Sequence, residues 1–277
     1  MITLLKRTLL VLGISRLIIN LEFYMRPIIA LIFLCLLSPL YSASEIISIP
    51  SNYGDTQTAY WPSSNSKAVL LLIPGGEGNF DIARKNPPKP NWVLSILYNK
   101  SQKHLGVDLV FFDSPYSLGW IGGNIAPRYT KDHLGRLLSV INFFKAKTSK
   151  PIYLIGHSNG TISVSEFLNQ SSENQALLAG AILSASRNET KLNPPLNVPI
   201  LFLHHEDDAN GRWTSYGTAQ KLYDKALISN SSSTQFLTVH GGDSGGNPSI
   251  SGHHMYEGSL EEAAGYLWEF ILKEKMP

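Results

Sequence analysis

The segment Pro151-Ile152-Tyr153-Leu154-Ile155-Gly156-His157-Ser158-Asn159-Gly160 decides how this chain reads. Its first half is a continuous apolar run, the pattern of a strand buried on both faces rather than one with a wet side. G-x-S-x-G follows at once, and Thr161 to Asn169 then has helical character. Strand, sharp turn and helix around a serine is the setting in which this motif exposes a hydroxyl above the sheet edge. The turn is tight enough that side chains at 156 and 160 would meet the neighbouring strand and helix, so glycine is required at both. Ser158 is the candidate nucleophile.

Runs of the same kind lie on either side. Ala68 to Ile73 ends in Pro74-Gly75-Gly76, and Val107 to Phe112 ends at Asp113. Leu178 to Leu183, Val198 to Leu203 and Gln235 to Val239 complete the set. Between them the helix candidates are Asn91 to Lys103, Lys131 to Lys147, Tyr216 to Ile228 and Ser259 to Lys273. Ser259 with Glu262 three residues on resembles a capping box at the start of the last helix. Strands alternating with helices at this rhythm predict a mostly parallel sheet covered on both faces. Ile46 to Ile49 and Thr58 to Trp61 read as antiparallel edge strands, and one α/β domain accounts for residues 45–277.

A serine hydroxyl is a poor nucleophile at neutral pH and needs a base, which in turn needs an orienting acid. After G-x-S-x-G in this setting, the acid and then the histidine follow along the chain. Val198 to Leu203 runs into His204-His205-Glu206-Asp207-Asp208. A short turn after the strand end best places Asp208 in the site, with Asp207 second and Glu206 third. The remaining members of that run, His204 and His205 included, take a solvated or loop-bracing role. For the base, the window before the last helix holds His240, His253 and His254. His254 ranks first, His253 second, and His240 third because it can equally brace the glycine-rich loop Gly241 to Gly246. Negative charge developing on a carbonyl oxygen needs preorganised N–H donors. The backbone of Asn159 and that of Gly76, or alternatively Glu77, are the candidates, since the glycines of Pro74-Gly75-Gly76-Glu77-Gly78 allow close approach.

Taken together, Gly75-Gly76, the Gly-His-Ser-Asn-Gly turn, His204 to Asp208 and the late His254 resemble the α/β-hydrolase superfamily. The nearest likeness is to small bacterial serine esterases and dienelactone hydrolases, and it spans about residues 65–273. Members often carry His-Gly-Phe at the catalytic histidine, where this chain has His254-Met255-Tyr256. The resemblance implies an α/β-hydrolase fold and acyl transfer to water, with neither metal nor organic cofactor. Ala185 to Asn197 is too short for the helical cap many members carry, so an open site with no large cap is expected. Its walls would come from Asn79 to Asn91 and from Ser114 to Tyr129. Within the latter, Tyr116, Leu118, Trp120 and Ile121 either line an acyl or alcohol portion or pack on the sheet edge. A small-molecule acyl substrate is the expected partner, for hydrolysis or for transfer to another acceptor. A non-catalytic binding protein would need a lost triad member, and none is missing.

At 277 residues and 43% hydrophobic, the chain can bury a sizeable core. Residues 1–43 hold four of the 23 basic and one of the 21 acidic side chains, so the remainder carries 19 against 20, a net −1. A near-neutral body without a basic run gives no footprint for nucleic acid, and no basic cluster near the motif indicates a charged substrate. Arg26, the apolar run Pro27 to Leu40 and Tyr41-Ser42-Ala43-Ser44-Glu45 follow the order of a secretory signal, with Met25 an alternative start. Export is the expectation, and an uncleaved N-terminal membrane anchor the alternative. Cys35, the single cysteine, lies in that segment, which excludes disulfides, thiol nucleophiles and Cys-type zinc sites from the rest of the chain.

Overall fold

The computed structural model describes residues 44–85, 106–119, 124–208, 212–229, 233–247 and 251–273. Eight strands form one sheet: β1 (Glu45–Ile49), β2 (Thr56–Trp61), β3 (Ala68–Ile73), β4 (Val107–Asp113), β5 (Ile152–His157), β6 (Gly180–Ser184), β7 (Ile200–His205) and β8 (Thr234–Val239). Their spatial order is β1-β2-β4-β3-β5-β6-β7-β8. β1 and β2 are the antiparallel members, and every pairing from β4 onward is parallel. The helices are α1 (Ile82–Lys85), α2 (Lys131–Thr148), α3 (Gly160–Gln170), α4 (Ser172–Ala176), α5 (Tyr216–Ser229) and α6 (Leu260–Leu272), with 3-10 turns at Ala126–Tyr129 and Gly252–Met255.

Strands β3 to β7 are buried on both faces, which is why they read as apolar runs. Successive strand residues point to opposite faces, and β3 divides accordingly. Val69, Leu71 and Ile73 meet Leu137, Val140 and Phe144 of α2, Val164 and Phe167 of α3 and Ala226 of α5 in one cluster. Leu70 and Leu72 join Ala263, Leu267, Trp268 and Phe270 of α6 on the other face. Each such Leu, Ile or Phe contributes about 1.5–3 kcal/mol relative to an exposed position. α2 is well terminated: the Thr130 hydroxyl accepts from the His133 N–H at 3.2 Å, and Ser149 ends the helix in the left-handed region.

Strand ends moved where polar residues extend the ladder. β5 continues through Gly156 and His157, and β7 continues through His204 and His205, carrying those side chains to the sheet's C-terminal edge. The capping box at Ser259 is corrected by the structure, since its hydroxyl makes no cap bond. Glu262 is drawn elsewhere, accepting from the His240 N–H at 2.9 Å and from the Tyr266 hydroxyl at 2.9 Å. The expected helix at Asn91 to Lys103 lies outside the described residues. Between β6 and β7 no helical cap intervenes. Among the described residues, no helix is long and apolar enough to cross a membrane.

Candidate active site

β5 and α3 meet at Ser158, whose φ of 53° lies in the left-handed region. A non-glycine residue held there is strained by about 1–3 kcal/mol, a conformation usually maintained for function. The flanking glycines are enforced by backbone proximity. A Cβ on Gly156 would lie 2.4 Å from Gly160 O, and one on Gly160 would lie 2.2 Å from Ile73 O. The elbow is anchored from beneath: Ser158 N–H donates to Ser184 O at 2.9 Å, and the Thr161 hydroxyl donates to Ser158 O at 2.7 Å.

The loop after β3 passes directly against the serine. A Cβ on Gly75 would sit 3.0 Å from Ser158 Cβ and 2.9 Å from His157 O. Gly76 has φ of 55°, and a Cβ there would meet nothing within 4 Å, so this residue faces open space. Its carbonyl is held from two sides, by Asn159 Nδ2 at 3.0 Å and by Arg128 Nη2 at 3.0 Å. The N–H groups of Gly76 and Asn159 have no backbone partner among the described residues. Asp113, at the end of β4, fixes the loop's exit by accepting from the N–H groups of Phe80 at 2.6 Å and Ile82 at 2.9 Å.

On the other side of the elbow, His254 and Asp208 come together from distant loops. Nδ1 of His254 lies 2.9 Å from Asp208 Oδ2, and both side chains are buried. Burial alone would raise the Asp208 pKa. Hydrogen bonds from His204 and His254 outweigh it and hold the carboxyl below the usual carboxylate range. An ionised carboxylate only accepts, so Nδ1 of His254 carries the proton and Nε2 keeps the lone pair. The His254 ring packs 5.1 Å, centroid to centroid, from the ring of His157, the residue preceding Ser158.

Three supports of this pair were not read from the sequence. The Thr214 hydroxyl donates to Asp208 Oδ2 at 2.9 Å. His204, expected to be solvated or to brace a loop, is fully buried beside the carboxylate. Its Nδ1 accepts from Ser186 N–H at 3.3 Å, so Nε2 bears the hydrogen, directed at Thr214 O at 3.0 Å with Asp208 Oδ2 at 3.5 Å. Beneath the elbow, the Tyr256 hydroxyl donates to Leu203 O at 2.9 Å, which makes Ser184 Oγ the donor to Tyr256 at 2.9 Å. Ser184 then accepts from His157 Nδ1 at 3.0 Å, leaving His157 Nε2 a buried lone pair. Burial pushes the His157 pKa down to about 3.

The remaining candidates are occupied elsewhere. His253 Nδ1 donates to Asp207 O at 3.0 Å, and its ring stacks on His205 at 4.2 Å. His240 pairs with Glu206 at 2.6 Å on the surface, which raises its pKa. His205, Asp207 and His253 each place one ligand-type atom within 4.8 Å of the others. His205 accepts from Asp207 N–H at Nδ1 and donates to Gly241 O from Nε2, so it keeps no ring nitrogen for a metal. The Tyr116 hydroxyl donates to Asp132 Oδ1 at 2.5 Å, which ties it to the first turn of α2. Leu118 packs against Gly78, while Trp120 and Ile121 lie outside the described residues. Two basic residues that the sequence did not single out, Arg128 and Arg187, far apart in sequence, are both buried around α3.

No protein-family model and no curated protein matches the chain. Solved structures do. An α/β serine hydrolase without lid from Xanthomonas campestris superposes with a TM-score of 0.57 at 12% identity, over 87% of this chain and 100% of that one. Dienelactone hydrolase from Anabaena variabilis gives 0.54 at 12%, over 84% and 99%. A cold-adapted esterase from an Arctic intertidal metagenomic library gives 0.54 at 15%, over 82% and 88%. At these identities the likeness establishes the fold, which is the α/β-hydrolase fold.

Proposed function

We propose that this protein is a serine hydrolase that cleaves a carboxylic ester through Ser158, His254 and Asp208. The observation that carries the reading is the His254–Asp208 contact of 2.9 Å, packed against the residue before a serine in a left-handed elbow. His254 Nε2 takes the hydroxyl proton as Ser158 Oγ attacks the acyl carbon, and the ionised Asp208 stabilises the imidazolium that forms. Asn159 and Gly76 N–H groups receive the tetrahedral oxyanion. Collapse expels the alcohol with the proton from His254, leaving an acyl-serine. Water repeats the sequence to release the acid and restore Ser158. The absence of a helical cap between β6 and β7 supports an open site and a small acyl substrate.

The Arg26-led apolar segment supports export of the folded domain as part of the same proposal. A fluorophosphonate probe and short p-nitrophenyl esters test the enzymatic reading. Ser158→Ala should abolish labelling, and both it and His254→Ala should lower kcat by at least about 10³-fold. Persistent labelling of Ser158→Ala would overturn the assigned nucleophile. Adding alcohol or amine acceptors separates hydrolysis from acyl transfer.

A further inference from the structure

Arg128 is not accounted for by the triad and its two N–H donors. It sits in the 3-10 turn before α2 and is completely buried. Nη1 donates to Ser163 Oγ at 2.9 Å, and Nη2 donates to the carbonyls of Gly76 at 3.0 Å and Pro74 at 3.3 Å. Its Nε is buried without a partner. Among the described residues no carboxylate pairs with it, and the undescribed stretches between residues 86 and 250 contain no Asp or Glu. Arg187 is different, since it forks onto Glu189 at 3.0 and 2.8 Å.

An uncompensated buried cation is costly. Burial first, and the like charge of Arg187 second, push the Arg128 pKa down to about 9, which leaves it charged at neutral pH. The residue is therefore held as a cation in a place that disfavours one. Its fork rests on two carbonyls of the same loop, and that loop contributes the Gly76 N–H. Among the described residues the resting site offers it no counter-charge, whereas acyl transfer creates one in front of this loop.

We propose that Arg128 is a positioning residue that pins the Pro74–Gly76 loop and lends its positive charge, through that loop, to the developing oxyanion. The inference rests on the hydrolase reading above. Two properties of arginine suit the task. Its planar fork reaches several acceptors at once, which a lysine ammonium does not reproduce. Its charge, acting in a water-poor interior, is felt over several ångströms.

Arg128→Met and Arg128→Lys, compared with wild type on p-nitrophenyl acetate and on phenylboronic acid, decide the matter. The boronate forms an anionic tetrahedral adduct with a serine, so it reports stabilisation of charge rather than substrate fit. Fluorophosphonate titration normalises each preparation to its active serines. The kcat should fall about 100-fold in Arg128→Met and about 10-fold in Arg128→Lys, with KM within about threefold of wild type. Boronate affinity should weaken in parallel with kcat. A purely structural role would lower thermal stability without changing boronate affinity relative to KM. A folded Arg128→Met with kcat within threefold of wild type overturns the proposal. If that variant does not fold, wild-type kcat and boronate affinity in Arg128→Lys overturn it instead. Failure of both variants to fold assigns Arg128 to the scaffold and overturns it as well. Wild-type protein that neither cleaves the ester nor takes the fluorophosphonate label sinks the hydrolase reading itself.

Discussion

Asp108, inside β4, and Asp208, in the loop after β7, are both buried carboxylates, and they keep different company. Asp108 accepts from Ser63 N–H at 2.7 Å, the Lys150 ammonium at 2.8 Å and the Tyr60 hydroxyl at 3.2 Å. Asp208 accepts from His254 at 2.9 Å and Thr214 at 2.9 Å, with His204 at 3.5 Å. The ion pair with Lys150 is already made in the resting fold. An imidazole becomes a cation only when a proton arrives, so the attraction of Asp208 for His254 strengthens during proton transfer. One carboxylate is a strut, and the other is poised for a change of charge.

The sharpest break between the two is expected from Asp208→Asn. The kcat per folded molecule should fall by about 10⁴-fold, so activity and not stability is the main loss, although the stabilising contribution of the ionised carboxyl goes with it. Steady-state ester hydrolysis beside calorimetry reads both, and a variant retaining a tenth of wild-type kcat would erase the distinction. Asp108→Ala should do the opposite. Leaving Lys150 partly buried without its partner should remove about 3 kcal/mol of stability in urea unfolding, with kcat per folded molecule unchanged.

Acid titration extends the contrast to the histidines. Burial pushes His133 and His157 down to about 3, whereas an unfolded chain protonates them near 6.5. The unfolded state therefore binds more protons below pH 6.5. Stability should fall on acidification toward pH 3 by about 1.4 kcal/mol per pH unit for each histidine. The depressed Asp208 pKa acts in the same direction at lower pH: its contribution is present above the unfolded carboxylate value and disappears below it. Urea midpoints at pH 7, 6 and 5 should follow this slope, and His157→Phe should flatten it by one proton; an unaltered slope would contradict the assignment. The smallest effect belongs to His240→Ala. Its surface pair with Glu206 should leave both the urea midpoint and kcat where they were.

The centre of the sheet was legible because β3 to β7 are each buried on both faces and so read as apolar runs. The elbow was legible because its motif is local, although only Gly156 answers to a neighbour within the turn, Gly160 O, while Gly160 answers to Ile73 O on β3. Asp208 and His254 could be ranked from chain order and strand ends, and the structure sets them 2.9 Å apart. Arg128, Thr214, His204 and the His157–Ser184–Tyr256 chain could not be read. Arg128 and the His157–Ser184–Tyr256 chain acquire meaning only from partners dozens of positions away, and an isolated polar residue such as Thr214 or His204 carries no sign of burial in sequence. Glu262 misled for the same reason. Its spacing from Ser259 fits a local cap, but the His240 N–H, brought in by β8, is the donor it actually serves.

The left-handed backbone at Ser158 has a consequence for how this chain tolerates change. Glycine visits that region without strain, so the substitution that makes the bend most comfortable is also the one that deletes its hydroxyl. Selection for durability and selection for reactivity therefore pull the same codon in opposite directions. A lineage released from catalysis would drift toward greater robustness at this position first.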